Sequence, residues 1–226
     1  TTAVANPARP KVSTDRINKQ QLRFPNSIAF DRSGNLFAID DLGRVVVYQP
    51  PFETPGKPAS RILGIYSGVP AGQPEPPPVN DITFRYYQNS IETLLIGGPR
   101  GLFTVGNYLF VADTGNNRIV RYEPVDSWAP EGPGTYSPRM SDPYTLFGQD
   151  DYNRNEANGG IALEPSAKYL DGPVGGVVLG DRVFVIDSRN HRVLVHSYNT
   201  DWNFFSPAMS VLGQMDFPYR AANLIS

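Results

Sequence analysis

The sequence predicts an all-β protein built from a repeated, turn-rich sheet unit, and three observations support this prediction. The 226 residues include 22 prolines and 21 glycines, about a fifth of the chain, which is typical of frequent turns. Short runs rich in β-branched and aromatic residues lie between these turns, and such residues favour strands. A similar phrase also returns at a fixed interval, because Pro25, Pro99 and Pro173 follow one another 74 residues apart.

Each repeat contains four short apolar runs in the same order. The first run includes the proline, the second ends in an aspartate, the third begins with an arginine and the fourth ends in a glycine. Their length and composition predict four strands per repeat. The first run covers residues 24–30, 99–105 and 173–179 in the three repeats, and the second covers 36–40, 109–113 and 183–187. The third run covers 44–48, 118–122 and 192–196, and the fourth covers 61–64, 145–148 and 210–213.

Four short strands repeated along a chain are the signature of blades in a β-propeller, where each antiparallel sheet buries both faces against its neighbours. The near-continuous apolar runs fit such burial, whereas a sheet with one wet face would alternate apolar and polar residues. We therefore predict about three four-stranded blades, at residues 24–64, 99–148 and 173–213, with long Pro-rich and polar connections between them. A β-sandwich is the alternative, but sandwiches seldom repeat one strand-turn-strand phrase three times.

The turn between the second and third runs carries an aspartate and an arginine. In the second repeat it reads Asp113-Thr114-Gly115-Asn116-Asn117-Arg118, the third has the same spacing, and the first is one residue shorter, so its loop should differ. Glycine and asparagine tolerate positive φ, and an aspartate can pair with an arginine. Because the pair occurs in every repeat, whereas an active site is needed once, we interpret it as a structural turn pair: Asp40 with Arg44, Asp113 with Arg118, and Asp187 with Arg192.

The segment from Leu109 to Ile119 (LFVADTGNNRI) resembles the NHL repeat, a propeller blade module, and the matching segments of the other two repeats resemble it less closely. Residues 146–152 and 211–217 are similar to the Gly-Gln-x-Asp-aromatic link that precedes the next blade in many bacterial NHL proteins. The resemblance implies a ring that is usually six-bladed, so we expect this chain to form about half of it. A second chain, or sequence missing from this one, would complete the ring.

Two groups of residues are candidates for ligand binding. In propellers the start of each innermost strand lines the central channel, so the resemblance places Asn26, Arg100 and Val174 toward one mouth. Arg100 would hold an anionic group there, or pair with an aspartate of an adjacent blade. Trp128 and Trp202 lie in the long connections and are candidates for an exposed ligand patch, although packing against blade edges is the favoured interpretation.

Composition excludes several classes of function. A net charge of −2 gives no bulk attraction to nucleic acid or to an anionic membrane, and the basic residues within 1–23 lack interleaved aromatic residues. The absence of cysteine excludes disulfides and thiolate catalysis. No apolar run reaches the roughly 20 residues of a membrane helix, so no membrane insertion is expected. No segment fixes the compartment, and an extracellular or periplasmic location is favoured over the cytosol.

Motifs for metal binding and catalysis are weak. Both histidines, His191 and His196, fall in one repeat, which argues against the several zinc-binding histidines of NHL-type amidating lyases. The turn at Asp150, Asp151 and Asn153 begins like a calcium loop but lacks the glycine and glutamate of that motif. We therefore expect no cofactor, with a divalent ion such as calcium as the alternative.

These observations predict a non-catalytic β-propeller scaffold that binds a protein, peptide or carbohydrate partner through loops on one face. The alternative is a lactonase-like propeller hydrolase or lyase with a divalent metal in its central channel. Fold alone does not decide between them, because the same scaffold carries both kinds of function.

Overall fold

The computed structural model is all-β and describes residues 15–65, 78–85, 97–132, 136–141, 145–161, 163–198 and 207–222. Its strands form three antiparallel sheets, in each of which consecutive strands are neighbours. The first sheet contains β1 (Ser27–Phe30), β2 (Leu36–Asp40), β3 (Arg44–Tyr48) and β4 (Arg61–Leu63). The second contains β5 (Gly101–Val105), β6 (Tyr108–Asp113) and β7 (Arg118–Tyr122). The third contains β8 (Pro173–Leu179), β9 (Arg182–Asp187), β10 (Arg192–Ser197) and β11 (Ser210–Leu212).

The turns between the second and third strands of each sheet have two lengths. In the second and third sheets a short 3-10 helix is followed by a residue in the left-handed region, Asn117 or His191, each with φ of 52°. The shorter first copy turns at Gly43, with φ of 65°. The positive φ in the longer turns falls on the residue just before the arginine and not on Gly115, because the 3-10 helix occupies the preceding three positions.

The prediction of four strands per repeat is wrong for the second sheet within the described residues. Phe147 of the predicted fourth run makes only an isolated bridge to Ile119, through hydrogen bonds of 3.0 and 3.1 Å. The next carbonyl along this side of β7, that of Arg121, accepts the Ser141 amide at 2.8 Å. A different part of the connection therefore occupies the edge of β7, and the ladder stops after one bridge.

The apolar core lies between successive sheets. One cluster joins the first and second sheets, with Phe37 and Ile39 of β2 on one side and Leu109 and Val111 of β6 on the other. A second cluster joins the second and third sheets through corresponding positions of β6 and β9. Both faces of the second sheet are therefore buried, which explains why its strands are almost continuously apolar.

The first strand of each sheet lies next to the first strand of the following one, β1 beside β5 and β5 beside β8. At the second of these contacts a Cβ on Gly101 would stand 2.1 Å from the Val174 carbonyl oxygen, so only glycine allows the two strands to approach this closely. Meandering sheets packed face to face, with their first strands adjacent, are typical of neighbouring propeller blades. Among the described residues, no helix has the length and apolar character needed to cross a membrane.

Candidate functional site

A cavity of about 470 Å³ opens where the first strands of the three sheets begin. The Asn26, Arg100 and Val174 positions, predicted to face one channel mouth, all line it. The remaining lining residues come from the turns of the first and third sheets and from the segment before β5: Asp40, Asp41, Gly43, Gly98, Pro99 and Ser188.

Matching backbone hydrogen bonds place Asn26 and Arg100 at equivalent positions of their sheets. The Asn26 amide donates to the Ile39 carbonyl and the Arg100 amide to the Ala112 carbonyl, both at 3.0 Å. The accepting residues, Ile39 and Ala112, each directly precede the turn aspartate of their sheet. Asn26 and Arg100 therefore lie at the same height along their sheets where they line the cavity. In the third sheet the register shifts between Pro173 and Gly175, and the backbone of Val174 comes into contact with β5.

Among the described residues that line this cavity, Arg100 is the positively charged one. Burial lowers the pKa of Arg100, and the nearby positive charge of Arg189 lowers it further. Arg189 forms an ion pair with Asp171 at 3.3 Å, which fixes its position. An anionic group beside Arg100 would offset both the burial of its guanidinium and the repulsion from Arg189.

Asp41, which sequence reasoning did not single out, also lines the cavity. Its Oδ2 pairs with Arg23 Nε at 3.1 Å, while its Oδ1 is buried without a hydrogen-bond partner. Burial raises the pKa of Asp41, against the lowering effect of Arg23. Nothing in the sequence distinguishes Asp41 from other surface aspartates, because its burial depends on the segment that contains Arg23.

The three turn pairs form completely buried ion pairs, and Asp40 of the first pair lines the cavity. The nitrogen-to-oxygen distances are 2.9 Å for Arg44–Asp40, 2.9 Å for Arg118–Asp113 and 2.8 Å for Arg192–Asp187, and both side chains of each pair have no exposed surface. Each aspartate also accepts a backbone amide from another part of the chain: Arg23 for Asp40, Arg85 for Asp113, and Asp171 for Asp187. With their oxygens engaged in this way, these aspartates act as structural anchors in the described structure.

The arginines of these pairs do more than close the turns. Arg118 donates through its terminal nitrogens to the carbonyls of Tyr152, Asn80 and Thr83, at 3.0, 3.0 and 2.9 Å. Arg44 and Arg192 likewise bind carbonyls of distant connecting segments. A guanidinium group has five N–H donors, and one carboxylate cannot accept from all of them. The sequence therefore indicates that each of these arginines has further hydrogen-bond acceptors. The sequence gives no means of naming those acceptors.

Trp128 lies apart from this cavity. Its indole packs edge-on against Tyr122, with ring centroids 6.3 Å apart, and its Nε1 donates to the Glu123 carbonyl at 2.8 Å. It also lines a second cavity, of about 510 Å³, together with Arg61 and Arg139. The structure therefore does not bring Trp128 together with Asn26 and Arg100. Trp202, the other predicted aromatic contact, lies outside the described residues.

The turn considered for calcium has its carboxylates engaged by protein groups. Asp150 accepts hydrogen bonds from Lys168 and from the Tyr169 hydroxyl, and the bond from Lys168 is the main cause of the lowered pKa of Asp150. Asp151 accepts the Asn153 amide at 2.8 Å, as in an Asx turn. Over the described ranges, no group of three or more His, Cys, Asp or Glu side chains is arranged to hold a metal ion.

No family model and no curated protein matches the chain. Solved structures similar to it include the Chaetomium thermophilum Polycomb Repressive Complex 2 in a humanized mutant form (10% identity, TM-score 0.41, 86% of this chain and 34% of that one). The Myxococcus xanthus glutaminyl cyclase is also similar, at 12% identity and a TM-score of 0.29, over 82% of this chain and 68% of that one. The PQQ-bound aldose sugar dehydrogenase of Streptomyces coelicolor is similar at 15% identity and a TM-score of 0.26, over 87% of this chain and 83% of that one. The chain thus spans about a third of the first of these. At such identities and TM-scores, none of the similarities assigns a family or an activity to this chain.

Proposed function

We propose that this chain is part of an NHL-type β-propeller that acts as a non-catalytic binding scaffold. We further propose that its ligand, a peptide or carbohydrate bearing a carboxylate, binds in the cavity at the start of the first strands. One observation carries the proposal: Asn26, Arg100 and Val174, which the sequence repeat places 74 residues apart, all line a single cavity of about 470 Å³. Sites formed at the convergence of repeated elements are a common way for repeat folds to bind ligands.

The chemistry of the cavity supports a ligand with an anionic group. Arg100 offers a planar guanidinium that suits a carboxylate in a bidentate arrangement. Burial and the charge of nearby Arg189 both lower the pKa of Arg100, and an anionic ligand group would offset both effects. Asn26 and Ser188 are exposed and offer an amide and a hydroxyl to neighbouring polar groups of the ligand.

Binding to a printed array tests the proposal. The array carries acidic and neutral oligosaccharides, and peptides whose C-termini are either free or amidated. We expect the wild-type protein to prefer members that carry a carboxylate, and Arg100→Ala to lose at least about tenfold of that binding, as for loss of one charge-assisted contact. Arg100→Lys should keep part of it, because the charge stays while the bidentate geometry is lost.

The matched control is Arg182→Ala. Arg182 forms an ion pair with Asp181, and in the sheet it lies opposite Leu179, at the end of β8 that is far from the cavity. Arg182→Ala therefore changes the net charge of the protein by the same amount as Arg100→Ala but does not alter the cavity. The proposal fails if Arg100→Ala and Arg182→Ala bind the array alike, or if the wild-type protein shows no preference for carboxylates. Thermal unfolding of each variant confirms that a lost signal does not come from a lost fold.

The metal-dependent hydrolase or lyase stays the alternative function. No geometric feature of the described residues favours it over binding, since Asp40 and Asp41, the acidic groups at the cavity, are paired with Arg44 and Arg23. Turnover of a lactone substrate in the presence of added Ca²⁺, lost on chelation, would support that alternative.

A further inference from the structure

The outward face of the third sheet is largely apolar, and much of it is exposed. The apolar side chains that share this face, according to strand register, are Val177 and Leu179 of β8, Phe184 and Ile186 of β9, Val193 of β10 and Leu212 of β11, while Val195 of β10 shares it but is buried. Arg182 and Ser210 are polar members at its edge. Val177 is 60% exposed and Leu179 72% exposed. We call this set the outer face. A contiguous group of large apolar side chains left in water is typical of an interaction surface.

The first two sheets bury the same positions against a following sheet. Ile186 of the outer face corresponds to Ile39 in β2 and to Ala112 in β6, because each directly precedes the turn aspartate. Ile39 and Ala112 have no exposed surface, whereas Ile186 is 43% exposed. Ile39 belongs to the core that packs on the second sheet, and Ala112 to the core that packs on the third. The outer face therefore repeats a surface that twice, within this chain, is covered by another antiparallel sheet.

The first sheet carries an exposed apolar surface that could pack against the outer face. Ile28 of β1 occupies the position that Leu102 occupies in β5, since they pair with the equivalent residues Ala38 and Val111. Leu102 is buried against the first sheet, but Ile28 is 64% exposed, and its neighbour Phe30 is also exposed. We call Ile28 and Phe30 the inner-strand patch. It is the counterpart of the surface that the second sheet presents to the first.

The segment beside this patch also has an equivalent inside the molecule. Arg44 binds the carbonyls of Arg16, Asn18 and Gln21, just as Arg118 binds those of Asn80 and Thr83. The segment around residues 78–85 lies between the first and second sheets, with Phe84 in their shared core. Residues 15–23 thus lie against the first sheet in the way that residues 78–85 lie against the second sheet, at its contact with the first.

We infer that the outer face of one chain binds the inner-strand patch of a second copy, so that two chains related by a two-fold axis close one ring of sheets. Each copy supplies both surfaces, so the two-fold axis generates two identical contacts that cover the outer face and the inner-strand patch of both copies. Three sheets from each chain give a total of six, within the four to eight found in closed propellers. The inference rests on the proposed propeller fold and deepens it, because the cavity would then lie inside the completed ring.

Sedimentation equilibrium of the 226-residue chain over a range of concentrations tests this inference. We expect a particle of twice the 24.9 kDa chain mass. Val177→Glu should weaken self-association by at least about a hundredfold, because each of the two contacts would bury an unpaired charge. Leu163→Glu is the matched control, since Leu163 is 77% exposed but lies outside the strands of the outer face.

Mixing variants gives a second, independent test. Ile28→Glu disrupts the inner-strand patch, so it should also be monomeric alone. In a mixture of Val177→Glu and Ile28→Glu, one of the two contacts is formed by two unaltered surfaces, so a heterodimer should appear that binds more weakly than the wild type. If Val177→Glu does not fold, Leu179→Ser on the same face replaces it.

A folded wild-type monomer, a polymer of indefinite mass, or a Val177→Glu particle as heavy as the wild type would each overturn the inference. Association is measured without ligand, and Arg100→Ala should leave it unchanged. Failure of the array experiment is therefore distinguishable from failure of ring closure.

Discussion

Replacing Arg118 by methionine tests whether the turn arginines hold the connections to the sheets. Methionine has similar length but no donor, so the substitution leaves buried Asp113 without its cation and the carbonyls of Tyr152, Asn80 and Thr83 without their donor. Breaking a buried ion pair by removing one partner costs about 3–5 kcal/mol. Each buried carbonyl that loses its donor adds about 1 kcal/mol or more.

The expected loss is therefore about 6–8 kcal/mol. This is comparable to the whole stability of many domains, which is about 5–15 kcal/mol. Urea unfolding followed by far-UV circular dichroism measures it, at one fixed protein concentration so that wild type and variant are compared under the same mass-action conditions. Arg139→Met is the control, because Arg139 forms an exposed ion pair with Asp81 and should lose less than about 1 kcal/mol.

Adding Asp113→Asn to Arg118→Met removes the stranded charge and separates the two contributions. The double variant should be more stable than Arg118→Met alone, while remaining less stable than the wild type because the three carbonyls still lack donors. A loss below about 2 kcal/mol for Arg118→Met would refute the reasoning, since it would mean that the carbonyls find other donors without difficulty.

Two further substitutions test the close approach of the inner strands and one surface ion pair. Gly101→Ala should destabilise the protein by about 2 kcal/mol and weaken ligand binding, because its Cβ would force β5 away from the Val174 carbonyl; Gly132→Ala, with open space around it, should be neutral in the same unfolding assay. Asp150→Asn should cost less than about 1 kcal/mol at pH 7, because the ion pair with Lys168 is half exposed. The pKa of Asp150 is lowered in the folded protein, so its contribution exists above the ordinary carboxyl value and is lost as pH falls through the lowered one. The stability difference between wild type and Asp150→Asn should therefore shrink as pH falls below the ordinary carboxyl value, and a difference that stays constant from about pH 7 into the acid range would contradict this assignment.

Local features of the fold could be predicted from the sequence, because they depend on neighbouring residues. The run from Leu36 to Asp40 forms a strand over its whole length, as do the runs from Arg44 to Tyr48 and from Arg118 to Tyr122. In each case β-branched and aromatic residues lie between turn residues that set the register. The all-β class with three antiparallel sheets followed from the same local signals.

Features that depend on the path of the long connections could not be predicted. The edge of β7 is taken by Ser141 instead of a full fourth strand, although the sequence of the fourth run resembles those of the other repeats. Asp41 is buried only because the segment containing Arg23 passes over it. Such contacts join residues far apart in sequence, and neither strand propensity nor turn chemistry contains information about them.

The turn arginines have a consequence for how the connections tolerate sequence variation. Outside the turn pair, Arg44, Arg118 and Arg192 donate to main-chain carbonyls and to no other side chain in the described structure. A carbonyl is present whatever the residue, so these bonds constrain the path of the connecting chain and leave its side chains free to vary. The long loops could therefore acquire new binding chemistry by substitution while the same arginines continue to hold them against the sheets.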